Sequence, residues 1–281
     1  MKCVKLAGCL PELGMGTFGI GGDFWTVDTS RDYQWIQALR RGIELGLALV
    51  DTSELYGGGH AEELLRYASS GFSEVYIISK INPLSYTVDE VAKRVAASAE
   101  RLGRRPWGVA PHWVPVGVHI CDVVRALEAA VSRGLAHFYG LSNVTAQQLE
   151  QALLCFKKTP PAFVENRYSL MYRRDEVDVL PVVQREGMFY IAYSPLERGA
   201  LALDSFLAAV GARYGKTAAQ TALNWYTRIP NLVPLVKAGG VKHVEENAGA
   251  LGWRLSDEDW ELINKRYYVY RHEAPIPNIQ K

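Results

Sequence analysis

Short apolar runs alternate along this chain with longer segments whose apolar residues recur at helical spacing. The runs are Leu13 to Thr17, Ala48 to Thr52, Glu74 to Ser79, Gly108 to His112, His137 to Leu141, Ala162 to Tyr168, Phe189 to Ser194 and Val233 to Val236. Each is short enough for a strand and is bounded by turn formers or charge. Between them, Val88, Val91, Ala92, Val95 and Leu102 fall on one helical face, as do Val124, Leu127 and Val131, with Lys, Arg and Glu opposite. Helix starts are signalled by Thr145 before Ala146-Gln147-Gln148 and by Ser256-Asp257-Glu258-Asp259, a capping-box pattern. Eight strands alternating with helices predict an α/β protein, a closed (β/α)8 TIM barrel forming one domain over residues 1–281. No Ser-rich or Pro-rich linker divides the chain.

Composition narrows the function classes. A chain of 281 residues with 48% hydrophobic positions can bury a large core. The net charge of +1, with Lys and Arg scattered, offers no basic field for nucleic acid or anionic membrane. No run approaches the roughly 20 apolar residues of a membrane span, and Met1-Lys2-Cys3-Val4-Lys5 lacks the apolar core of a signal peptide. Cys3, Cys9, Cys121 and Cys155 show neither CxxC spacing nor a His partner pattern. They read as free buried thiols of a cytoplasmic protein, with no metal site.

Four chemically capable residues stand at or just beyond strand ends: Asp51 and Tyr56 in Asp51-Thr52-Ser53-Glu54-Leu55-Tyr56-Gly57, Lys80 in Ile78-Ser79-Lys80, and His112 in Pro111-His112-Trp113. Alone, a Lys beside an Asp is more often a structural ion pair, and a lone His or Tyr is ordinary packing. In a parallel barrel, however, the carboxyl ends of successive strands meet at one mouth, so all four can share a site. The chemistry they suggest is carbonyl reduction, which needs a hydride on carbon and a proton on oxygen. A phenol of pKa about 10 gives up its proton reluctantly, a neighbouring ammonium eases that step, and a carboxylate keeps the ammonium charged. An imidazole can donate to the carbonyl oxygen and orient it.

These motifs, with Leu13-Gly14-Met15-Gly16-Thr17-Phe18-Gly19, Gly140-Leu141-Ser142-Asn143, Ala192-Tyr193-Ser194-Pro195-Leu196 and His243-Val244-Glu245-Glu246-Asn247, make the chain resemble the aldo-keto reductase superfamily over nearly its whole length. The resemblance implies Tyr56 as the acid, Lys80 as its tuner, Asp51 as the partner of Lys80, and His112 as the group that orients substrate. It also implies a small hairpin within Val4 to Leu10 closing the barrel floor. The hydride must come from a cofactor, and no Rossmann GxGxxG follows a strand; Gly57-Gly58-Gly59 reads as a flexible turn. The implied cofactor is an extended NADPH/NADP+ across the barrel mouth. Tyr193 would stack beneath the nicotinamide, and Ser142 and Asn143 would hold its carboxamide. Lys237, His243 and Asn247 would meet the 2′-phosphate and adenine beside a helix starting near Val241. Gly16, Thr17, Asp51, Glu165, Ser194, Leu196 and Glu246 complete the implied cofactor positions. Phe24, Trp25 and Trp113 would rim the substrate site around Tyr56 and His112.

Three departures mark this chain. Glu165 stands where many members carry Gln for the nicotinamide amide, and Arg167 stands two residues on, where Glu is frequent. Strand alternation puts that pair on one face, as an exchanged charge arrangement. Ala238 and Gly239 replace positions where a hydroxyl often assists phosphate binding. The segment after His112 and the tail after Tyr268 are short, which implies an open, permissive pocket. The leading expectation is NADPH-dependent reduction of aldehydes, and of ketones, to alcohols by a monomer or small homo-oligomer. The alternative is a nucleotide-binding regulatory or redox-sensing subunit with little turnover. A third reading, a barrel glycosidase using Glu165 and Glu197, leaves Tyr56, Lys80 and Lys237 without a role.

Overall fold

The computed structural model describes residues 1–271. A hairpin of β1 (Lys2–Val4) and β2 (Gly8–Leu10) precedes the barrel strands β3 (Gly14–Gly16), β4 (Leu49–Ser53), β5 (Tyr76–Ile81), β6 (Gly108–Pro111), β7 (Phe138–Ser142), β8 (Phe163–Arg167), β9 (Phe189–Tyr193) and β10 (Leu232–Lys237). These eight strands are parallel and close in sequence order, β10 pairing with both β9 and β3. The surrounding helices are α1 (Asp32–Glu44), α2 (His60–Ala68), α3 (Val88–Leu102), α4 (Ile120–Ser132), α5 (Ala146–Leu153), α6 (Val179–Arg185), α7 (Ser205–Ala212), α8 (Ala218–Tyr226), α9 (Val241–Ala248) and α10 (Asp257–Arg266). The predicted barrel is therefore the observed one, with strand limits shifted by a residue or two. The tail from 272 onward, including most of the segment expected to be short, lies outside the described residues.

Strand alternation builds two cores. Outward residues such as Val50, Ile77, Val109 and Val164 pack with the inner faces of the helices. Inward Leu49, Ile78, Phe163 and Ile191 fill the lower barrel with Val4, Ala7 and Leu10 of the hairpin, which closes the floor as expected. Lys2 ties the hairpin down by donating to the carbonyls of Thr227 and Ile229, the latter at 2.7 Å. A Cβ on Gly140 would lie 2.5 Å from the Phe163 ring, so that position is left bare for the floor to pack. Two residues above this apolar layer, the same inward positions carry Asp51, Lys80 and Glu165. Period two thus turns a dry floor into a polar mouth.

The helix starts behave as their side chains dictate. Thr145 and Gln148 form a complete capping box. Ser256 accepts from the Asp259 amide, but the reciprocal half is absent because the Asp259 carboxylate is taken by Arg213 and by Tyr214 at 2.6 Å. The glycine run after β4 forms a tight turn whose geometry calls for glycine. Gly57, Gly58 and Gly59 all have positive φ, and a Cβ on Gly57 would stand 2.2 Å from the Gly21 carbonyl oxygen.

The cysteines correct the sequence reading. Cys3 and Cys9 face each other across the hairpin register and are disulfide-bonded, and Cys121 at the start of α4 is bonded to Cys155 just beyond α5. All four are exposed or half-buried rather than buried thiols. Spacing along the chain could not reveal this, because both pairings are set by register and helix packing. Disulfides persist in oxidising compartments and in hyperthermophile cytosol, so the thiol argument for a reducing cytoplasm falls away. Among the described residues, no helix is long and apolar enough to cross a membrane, and no His, Cys, Asp and Glu cluster is arranged to hold a metal.

Candidate functional site

Lys80 is the centre of the mouth. Its side chain is 3% exposed, and its Nζ donates both to Asp51 Oδ1 and, at 3.1 Å, to Glu165 Oε1. One ammonium therefore serves two buried carboxylates, one from β4 and one from β8. Burial works against the Lys80 charge, but Asp51 and Glu165 outweigh it and hold its pKa well above the ordinary value. Burial, and then the neighbouring Glu165, push Asp51 well above the usual carboxylate range, with Lys80 pulling the other way. The expected Glu165 and Arg167 pair does not form. Arg167, one step nearer the rim, bonds Glu197 at 2.5 Å. Glu197 also accepts from Ser169, so the two carboxylates of the glycosidase reading are both committed elsewhere.

Tyr56 sits on the bend after β4, 5% exposed, with Lys80 Nζ 5.5 Å from its ring centroid and the His112 ring at 5.6 Å. Burial raises the phenol above its ordinary pKa; Lys80 lowers it, while Asp51 and Glu165 raise it further. The sequence reading had the ammonium prevailing over the environment, and here burial prevails. His112 follows β6, its amide donating to the Ile81 carbonyl at 2.8 Å. Burial, then Lys80, lower its pKa to about 3, so the imidazole is neutral near pH 7.

Ser53 is a site residue that motif reading passed over. Its Oγ lies 3.1 Å from His112 Nδ1 and 3.0 Å from the Lys80 carbonyl oxygen, and it accepts from the Leu55 amide at 3.2 Å. Alternation was the available signal, since Ser53 is two residues from Asp51 and shares its inward face. Phe18 was also missed: half exposed, it lies 5.5 Å from Tyr56 and 5.6 Å from Phe24 between ring centroids. Phe24 in turn stands 5.8 Å from His112, and Trp113 stands 4.9 Å from it. Trp25 is 65% exposed and makes no ring contact with these groups among the described residues.

The opposite side of the mouth carries the expected cofactor positions. Gly16, beside Asp51 in register, leaves the space above that strand bare. Ser142 ends β7, and Asn143 follows with φ of 56°. Asn143 Nδ2 donates to the His112 carbonyl at 2.9 Å and to Ser142 Oγ at 3.2 Å, while its Oδ1 accepts from Tyr193 at 2.6 Å. Its amide thus joins three strand ends. Tyr193, Ser194, Glu197, Arg167 and Arg198 line a cavity of about 380 Å³, and Ser194, Glu197 and Arg198 all hold positive φ. Leu196 lies half-buried in the same loop. Lys237 is exposed at the end of β10, its Nζ over Gly19, and the α9 N-terminus two residues beyond Ala238 has no side-chain cap. His243 and Glu246 are exposed on α9, with Asn247 buried. Thr17 Oγ1 and Glu165 Oε2 are buried without a partner among the described residues.

The chain and its fold have counterparts among known proteins. Methylglyoxal reductase YeaE of Escherichia coli K12 is 29% identical over 275 residues, covering 95% of each chain. The thermostable aldo-keto reductase Tm1743, solved with the inhibitor epalrestat, superposes with a TM-score of 0.86 at 31% identity, covering 94% of this chain and 98% of its own. The Klebsiella pneumoniae aldo/keto reductase solved with NADP and acetate gives a TM-score of 0.85 at 29% identity, covering 95% of each. The model of the aldo/keto reductase family matches residues 12–267, nearly the whole described chain. With the barrel, the Asp51, Tyr56, Lys80 and His112 mouth and this match in hand, the protein belongs to the aldo/keto reductase family of oxidoreductases.

Proposed function

We propose that the protein reduces aldehydes, and the ketones its open rim admits, to alcohols with NADPH, and that Tyr56 supplies the proton. The observation that carries this reading is the meeting of Tyr56, Lys80, Asp51 and His112 at one mouth. Relatives named as methylglyoxal reductase and pyridoxine 4-dehydrogenase act on small carbonyl and alcohol compounds, which supports a small substrate here.

The residues present fit the dinucleotide. The unpartnered Glu165 Oε2 and Thr17 Oγ1 offer an acceptor and a hydroxyl at the mouth, Tyr193 offers a ring, and Arg198 offers a cation on the cavity wall. Lys237 and the uncapped α9 N-terminus suit a phosphate, which favours NADPH over NADH even with Ala238 and Gly239 in place of hydroxyls. When bound, NADPH supplies the hydride. Tyr56, kept protonated by burial, gives its O–H proton to the carbonyl oxygen as charge develops there, and Lys80 stabilises the phenolate left behind. Asp51 keeps Lys80 charged and in place.

The Ser53 hydroxyl proton has two takers, the Lys80 carbonyl and His112 Nδ1. The Lys80 carbonyl already accepts from the Glu54 amide at 3.1 Å, so the proton is best used on Nδ1. His112 then carries its own proton on Nε2 and acts as a neutral donor to the substrate oxygen. Phe18, Phe24 and Trp113 form the apolar rim. The protein works as a monomer or small homo-oligomer. NADPH absorbance followed over a panel of aldehydes and ketones tests the reading. NADPH binding without oxidation across the panel would instead support a regulatory, nucleotide-sensing subunit.

A further inference from the structure

Two carboxylates and one ammonium, all nearly inaccessible to solvent, do not balance. Asp51, Glu165 and Lys80 fully ionised would leave one net negative charge in the barrel mouth, and uncompensated buried charge is costly. Among the described residues, the groups facing this cluster supply no further cation. Tyr56 and Tyr193 are phenols kept neutral by burial, His112 is a neutral imidazole, and Arg167 is committed to Glu197. Lys237 is exposed at the rim. Glu165 Oε2 is buried and has no partner among the described residues, so one oxygen of the pair is left without compensation at the mouth that the nicotinamide is proposed to occupy. Glutamine at this position would leave Asp51 and Lys80 as a balanced pair.

We propose that Asp51 and Glu165 hold one proton between them around Lys80, and that docking of the oxidised nicotinamide ring, but not the reduced one, expels that proton to solvent. The ring of NADP+ carries a positive charge that NADPH lacks. Placed beside the carboxyl pair, it supplies the missing cation, so the pair ionises and the proton leaves. No bond of the cofactor changes; one O–H of the pair breaks and water takes the proton. The site thereby couples cofactor redox state to protonation through Glu165, at a position where the family resemblance leads one to expect Gln. The inference rests on the cofactor reading above and goes beyond it, since that reading holds with either Glu or Gln at position 165.

The test counts protons. NADP+ and NADPH are titrated into the intact protein by calorimetry in two buffers of different protonation enthalpy. Subtracting one cofactor from the other removes contributions from their shared phosphates. Wild type should release close to one more proton per NADP+ than per NADPH on the acid side of the pair's titration. There, NADP+ affinity should rise up to tenfold per pH unit while NADPH affinity stays flat. Glu165→Gln should abolish the difference. As a second readout, the infrared difference spectrum of the wild type should show a protonated carboxyl band lost on binding NADP+ and kept on binding NADPH. Equal proton counts for both cofactors, or a difference that survives in Glu165→Gln, overturn the proposal while leaving the cofactor assignment intact. If neither nucleotide binds, the cofactor reading fails and takes this inference with it.

Discussion

His112 should make the protein's stability depend on pH in a way that can be calculated. An unfolded chain exposes an imidazole of pKa about 6.5, whereas in the folded protein burial and Lys80 lower it to about 3. The sign follows directly: between these values the unfolded state binds the extra proton, so stability rises with pH. The contribution is full above pH 6.5 and is lost as pH falls toward 3. The whole shift amounts to about 5 kcal/mol at 1.36 kcal/mol per pKa unit. By the same linkage, the loss between pH 7.5 and 5 is about 2 kcal/mol. Carboxylates and other histidines also titrate in this range, so the measurement is a difference. Urea unfolding of wild type and His112→Gln is followed from pH 5 to 7.5, and the wild type should lose about 2 kcal/mol more than the variant. In the same window kcat/KM should show no limb near pH 6.5 attributable to His112. Equal pH slopes for the two proteins would refute the claim that this imidazole is buried in the neutral form.

Four further outcomes follow from the same structure. Tyr56→Phe keeps the ring but removes the proton, so kcat for aldehyde reduction should drop by at least about 100-fold with NADPH affinity unchanged; retained turnover would reject Tyr56 as the acid. Lys237→Ala should weaken NADPH by about 1.5 to 3 kcal/mol and leave NADH nearly untouched, whereas equal losses in fluorescence titrations would make Lys237 structural. Ser53→Ala deletes the partner of His112 Nδ1, worth about 1 kcal/mol, so kcat should fall roughly fivefold while NADPH affinity holds; steady-state kinetics showing no change would leave the imidazole tautomer to other groups. The Cys121–Cys155 bridge spans a sequence separation of 34, and a loop of that size corresponds to about 4 kcal/mol of chain entropy. Thiol titration of the native protein should find no free cysteine, and replacing both by serine should lower the urea midpoint.

The barrel and the four central residues were legible because both depend on short-range periodicity. Apolar alternation marks each strand, and placement at a strand's carboxyl end puts Asp51, Lys80 and His112 at one mouth. What stayed illegible depends on which strands or helices become neighbours, or on competition for one partner. Arg167 was matched to Glu165 because they share a strand face. Glu165 instead reaches across to Lys80 on β5, and Arg167 meets Glu197 in the loop after β9. Asp259 looked like half of a capping box, but Arg213 and Tyr214 claim its carboxylate. The disulfides belong to the same class, since only folding brings Cys121 to Cys155. The balance at Tyr56 was missed for a different reason: the sign of each neighbour's effect is readable from sequence, but the depth of burial that outweighs Lys80 is not.

That burial gives the mouth a consistent electrostatic character. Desolvation disfavours every charged form, so it protonates the Tyr56 phenol, deprotonates the His112 imidazole and drives Asp51 toward its neutral acid. Lys80 keeps its charge, because two carboxylates converge on it. Such a site begins a reduction with the proton already on the phenol and with a neutral donor in His112. The opposite reaction, alcohol oxidation, would need Tyr56 as a base, against the pull of burial and of both carboxylates. Above the pH at which the Asp51 and Glu165 pair gives up its shared proton, both carboxylates are ionised, and removing one of them relieves part of that opposition. Glu165→Gln should therefore ease phenolate formation and move the basic limb of the reduction profile to lower pH. Reduction and oxidation rates measured across that limb, in wild type and variant, would show whether Glu165 biases the enzyme toward reduction; an unmoved limb would mean that the position 165 charge does not reach Tyr56.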